Sequence, residues 1–184
     1  MAGATTSQPE GIGTGVVGRL EGAEALDGAV DRYLAIVSPL ARDGLRRALS
    51  GEVVIGHALH PLLTDLPIGF WTSAFVLDAL GGERARPAAQ QLIGLGLLCV
   101  PLTVLTGASD LGASGDRRAG RVGVVHAAGN TVAAGAYLLS WRARRRGNHR
   151  SGVRWALVGG ALASAAGHLG GHLAFRLGVG VDRG

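Results

Sequence analysis

Five of the six histidines in this chain fall in three short stretches, and they are the residues best suited to chemistry. His57 and His60 stand three apart in HALHPLLTDLPIGFW. His126 lies in VVHAAGN. His168 and His172 stand four apart in GHLGGHL. Residues three or four apart on a helix share a face, so each pair could address one ion or one edge of a cofactor. Neutral imidazole suits zinc, copper, iron and nickel. Asp65 adds a carboxylate to the first stretch. Asn130, four after His126, and Asp110, in TGASDL, could steady such ligands by hydrogen bonds. Pro61 follows His60 directly. The residue before a proline avoids helical angles, so whether His57 and His60 share a helix stays open. No phosphate loop accompanies these residues, and no nucleophile–base arrangement stands out, so no catalytic residue is assigned.

The elements that must position them are apolar. Hydrophobic residues make up 47% of the 184 and charged residues 17%, with a mean hydropathy of +0.29. The apolar residues gather into four blocks, at 62–80, 87–106, 122–141 and 153–175. Each approaches the ~20 residues that a helix needs to cross a bilayer. In lipid only helices and closed barrels satisfy their own backbone, so the blocks read as transmembrane helices. Glycines within them, such as Gly167 and Gly171, would allow close helix approach. The intervening segments are short and charged, which makes neighbouring helices antiparallel. The expected fold is all-α: a four-helix transmembrane bundle over residues 52–183.

Ahead of the bundle, residues 1–22 are rich in Gly and Thr and are expected to form a flexible tail. Over 23–50, Leu26, Val30, Tyr33, Val37 and Leu40 alternate spacings of four and three, with charges off that face. This predicts an amphipathic helix, weakened at Pro39 and Gly44. It could pack on the bundle's end or lie among lipid headgroups.

The up-down topology then brings the histidines together. The starts of the first and third spans and the end of the fourth share one membrane side. His57, His60, Asp65, His126, His168, His172 and Asp110 therefore belong to one end of the bundle. Ionisable residues in spans ordinarily mark a site. Two readings follow. In one, His126, His168 and His172, with Asp65 or with His57 or His60, hold a transition metal or a haem b, and electrons pass to or from a partner protein or a quinone. In the other, the histidines only hydrogen-bond within the bundle of a structural or accessory membrane subunit. Asp78, with Glu83, Arg84 and Arg86, lies at the opposite face, where loop ion pairs are expected.

All 18 basic residues are arginine and the net charge is +5. The arginines sit mostly between apolar blocks, as in membrane-protein loops, so nucleic-acid binding is not expected. The lipid bilayer is the expected partner, and a second copy of the chain is a further candidate. The density of arginine between the third and fourth blocks places that connector in the cytoplasm and the histidine cluster on the outer side of the cell membrane. Arg42, Arg46, Arg47, Arg117, Arg118 and Arg121 then lie outside, against the rule. The single Cys99 permits no intrachain disulfide. No cleavable signal peptide is visible.

The stretches HALHPLLTDLPIGFWTSAFVLDAL, TGASDL, RRAGRVGVVHAAGN and GHLGGHLAFRLGVGVD resemble a family of bacterial membrane domains of unknown function, number 2231. The resemblance covers about residues 52–183. It implies a four-span membrane fold and, through members joined to a Rieske-type iron–sulfur domain, a redox neighbourhood. This chain lacks the Cys and His pairs of a Rieske cluster. Leu111 also departs from the family pattern, which has an aromatic there. The residues that match are His57, His60, Asp65, His126, His168 and His172.

Overall fold

The computed structural model describes residues 12–51, 56 and 58–181. Among them there is no strand. Seven α-helices follow one another: α1 (Ile12–Glu21), α2 (Asp27–Val37), α3 (Asp43–Ser50), α4 (Leu59–Leu80), α5 (Gly82–Ser114), α6 (Arg117–Arg145) and α7 (His149–Phe175). Two short 3-10 turns, Glu24–Leu26 and Ser38–Ala41, flank α2.

The last four helices are longer than the apolar blocks within them, because the expected connectors are mostly helical. The link from α4 to α5 is Gly81 alone, that from α5 to α6 is Gly115–Asp116, and that from α6 to α7 is Arg146–Asn148. Glycine makes such sharp reversals feasible: Gly115 and Gly147 take positive φ of 64° and 76°, a region that costs other residues strain. Asp116 then caps α6 by accepting from the Arg118 amide at 2.8 Å. Asn148 caps α7 by accepting from the Ser151 amide at 3.1 Å.

The helices pair as two antiparallel hairpins, α4 with α5 and α6 with α7, joined along α5 and α6. One core cluster packs Trp71, Ala74, Ala89, Ile93 and Tyr137. Within it Trp71 and Tyr137 stack with ring centroids 3.8 Å apart. The other cluster lies toward the α5–α6 turn and contains Val17, Leu111, Ala119, Val122 and Leu173.

The N-terminal third differs from expectation. Ile12–Glu21, expected within a flexible tail, is helix α1, because Val17 buries itself in that second cluster at 1% exposure. The expected amphipathic helix over 23–50 is broken into α2 and α3 by the turn at Pro39, whose ring prevents α2 from continuing. These pieces pack on α5 and α6. Val30 is fully buried against Gly120, and the Ser109 hydroxyl donates to the Leu40 carbonyl at 3.0 Å.

Candidate functional site

His60 sits in the first turn of α4. Pro61 does not prevent this, since amides of the first helical turn have no partner inside the helix. Pro67, further along, removes the amide that would have bonded the Leu63 carbonyl. The Thr103 hydroxyl of α5 reaches that carbonyl at 3.3 Å. The Thr103 carbonyl in turn accepts from His60 Nδ1 at 3.0 Å, with Thr106 Oγ1 at 3.2 Å from the same nitrogen. Proline, threonine and histidine thus lock α4 to α5. The ring is so close to Gly107 that a Cβ there would stand 2.6 Å from His60 Cε1.

His126 repeats the arrangement one hairpin over. Its Nδ1 donates to the Ala166 carbonyl of α7 at 2.8 Å. A Cβ on Gly170 would lie 2.8 Å from its Cε1. A carbonyl can only accept, so in both rings Nδ1 carries the hydrogen and Nε2 keeps the lone pair. Asn130 Nδ2 lies 3.2 Å from His126 Nε2 and 3.0 Å from the His126 carbonyl.

The remaining expected residues separate from this pair. His172 Nε2 is 2.7 Å from Glu21 Oε1 of α1. His168 and Asp65 are exposed. Asp110 is buried, its carboxylate against Gly180, where a Cβ would stand 2.8 Å from Oδ2. His57 lies outside the described residues. Among the described residues no group of three or more His, Cys, Asp and Glu could hold a metal ion.

Around this end of the bundle the arginines at the start of α6 meet the acids of α1 and α2. Arg121 grips Asp27 through Nε at 2.7 Å and Nη2 at 2.9 Å. Its hydrogen bonds, and then its positive charge, hold the Asp27 carboxyl below its ordinary range. Arg117 reaches Asp31.

The opposite end holds a network that sequence reasoning did not find. Asp78, expected in loop ion pairs, instead takes the buried guanidinium of Arg144 in a two-pronged contact, with Nη1 to Oδ1 at 2.8 Å. Arg144 Nε also donates to Ser140 Oγ at 3.2 Å, and the Ser140 hydroxyl donates to the Gly152 carbonyl at 2.7 Å. His149 stands beside the pair, its Nε2 3.6 Å from Asp78 Oδ1. The available signal was spacing: Ala133, Tyr137, Ser140 and Arg144 alternate steps of four and three, the period of a buried helical face.

By length and composition, α5 and α6 are each long and apolar enough to cross a membrane. Among the described residues the fold is all-helical, and the length and apolar composition of these two helices are those of the helical membrane class. The chain belongs to the DUF2231 family, described as a predicted membrane protein, whose family model matches residues 56–183. No curated protein and no solved structure matches the chain.

Proposed function

We propose that α4–α7 form a four-span bundle in the cell membrane and that His60 and His126 serve as the iron ligands of a b-type haem used for electron transfer. Large apolar side chains left exposed on all four helices support the bundle: Phe75 on α4, Leu98 on α5, Val132 on α6 and Leu157 on α7 are each more than half exposed. So broad an apolar exterior suits lipid far better than water. At 22 and 27 residues, α4 and α7 reach about 33 and 40 Å, enough to cross. The arginine-dense α6–α7 turn faces the cytoplasm in this reading, and the histidine end faces outward.

One observation carries the haem assignment. Two imidazoles on different hairpins are each fixed through Nδ1 to a main-chain carbonyl, which makes Nε2 the basic nitrogen of each. That is the orientation in which a protein offers histidine to a metal. At His126 the Asn130 amide, 3.2 Å from Nε2, would have to turn aside for that nitrogen to bind iron. Two histidines would be enough to hold a haem. A bare ion would need three or four. Bound there, haem would supply one-electron chemistry, with a quinone or a partner protein as the other redox party. The chain's own contribution is to orient the rings through Nδ1 and leave Nε2 without a hydrogen, with the Asn130 amide able to stay on the His126 carbonyl when Nε2 is taken.

A second reading is a structural or accessory subunit whose histidines only join helices, and the Glu21–His172 contact is of that kind. The test is a visible spectrum of the protein purified in mild detergent, before and after dithionite, with metal analysis on the same sample. A Soret band that sharpens on reduction and is lost in His60→Ala and His126→Ala, but kept in His168→Ala, supports the haem reading. Protein that takes up no haem, even when haem is supplied during expression, leaves the structural one.

A further inference from the structure

The cytoplasmic end of the proposed bundle has its own cleft, of about 430 Å3, between the α4–α5 turn and the first turns of α7. Asp78, Glu83, Arg86, His149, Arg150 and Arg154 line it. Its acids are already matched. Asp78 is held by the buried Arg144, and Glu83 pairs with Arg86 at 2.9 Å. Arg150 and Arg154 have no ion-pair partner among the described residues. They stand four apart, so they share a face of α7 and repel each other across one turn. The cleft thus carries two uncompensated positive charges beside the positive end of a 27-residue helix.

Its depth is marked independently. Trp155, next to Arg154, is 40% exposed. Trp141, near the end of α6, lies under the Arg145 guanidinium at 4.8 Å. Exposed tryptophan near a helix end, as Trp155 is, belongs at the headgroup level of a bilayer, whereas Trp141 packs partly buried on the core. The geometry points to a binding site for the phosphate of an anionic phospholipid headgroup, held by Arg150 and Arg154 in this cleft. Guanidinium groups pair bidentately with phosphate. Basic pockets between membrane helices at the cytoplasmic face suit such headgroups. An anion between the two arginines would also remove their mutual repulsion. The site rests on the membrane-bundle reading and is independent of the haem.

The test uses the full chain purified in detergent. Phosphatidylglycerol, phosphatidylcholine and inorganic phosphate are each titrated, with binding read by native mass spectrometry and by the shift in melting temperature. Phosphatidylglycerol is expected to bind and stabilise the protein, and phosphatidylcholine to do neither. The double variant Arg150→Gln/Arg154→Gln should weaken phosphatidylglycerol binding on the order of thirtyfold. Arg142→Gln/Arg146→Gln, which removes the same charge from the adjoining turn, should leave it unchanged. All four arginines are exposed, and matching lipid-free melting temperatures would verify that the variants fold. Equal binding of both lipids, no effect of the first double variant, or an equal loss in the second would overturn the site. Saturation by inorganic phosphate alone would show a free-phosphate site and overturn the lipid assignment. Failure of the membrane reading would show separately, as release of the protein from membranes without detergent.

Discussion

Asp78 near the end of α4 and Arg144 near the end of α6 join the two hairpins through a buried, two-pronged ion pair. Their side chains are 5% and 1% exposed. Removing one partner would strand the other's charge away from water. Arg144→Gln is expected to cost about 3–5 kcal/mol of stability. Asp78→Asn combined with Arg144→Gln should cost less than Arg144→Gln alone, because no buried charge is then left unmatched. Thermal unfolding of the three variants in detergent measures this. A double variant at least as unstable as the single one would contradict it.

Gly107 and Gly170 each leave room for an imidazole that a methyl group would displace. Gly107→Ala and Gly170→Ala should each cost about 1–3 kcal/mol by overpacking. Each should also move its histidine off the carbonyl that orients it. Gly135→Ala, where a Cβ meets nothing within 4 Å, is the control. If all three variants melt alike, the close approach is not a constraint.

The Asp27–Arg121 pair gives the acid side of the stability profile a definite sign. The folded carboxyl has a pKa below the ordinary 3.8. Its contribution is therefore complete above the unfolded value and is lost as pH falls through the folded one. Asp27→Asn should lower stability at neutral pH and flatten the decline below about pH 4. A wild-type and variant difference that stays constant from neutral pH to pH 2 would rule the linkage out.

Leu98 separates a lipid-facing surface from a watery one. It is 76% exposed on α5. On a protein in water, Leu98→Arg would be nearly neutral. At the centre of a spanning helix, arginine costs about 2.5–3.5 kcal/mol on the insertion scale. The variant should accumulate poorly in the membrane fraction, as measured by immunoblot against wild type. Undiminished insertion would count against α5 as a span.

Helical character and the run of four long elements were legible because apolar blocks of span length admit few other structures. The ends were less so. The charged connectors read as loops, yet Arg117, Arg118 and Arg121 lie on α6, where acids of α1 and α2 meet them from about a hundred residues away. Arg144 looked like its neighbours Arg142, Arg145 and Arg146 by type. Only its phase on the helix with Tyr137 and Ser140 set it apart. His60 and His126 lie toward the starts of their helices and His168 and His172 toward the end of theirs, but neighbours chosen by spacing did not all meet. His172 turns to Glu21, in a segment whose Gly-rich composition concealed a helix. The partners of His60 and His126 are main-chain carbonyls, which no residue type announces.

The clasp that α1 and α2 form over α6 also has a timetable. Asp27 and Arg121 are 94 residues apart in the chain. At the pace of a translating ribosome, the carboxylate is made about 5–20 s before its guanidinium. For that interval the N-terminal helices exist without the surface they finally cover. An amphipathic segment waiting beside a membrane can rest its apolar side on the lipid until α6 arrives. Lipid contact and bundle contact would then be successive stages in the life of one segment, with Val30 passing from the first to the second as Gly120 comes into place.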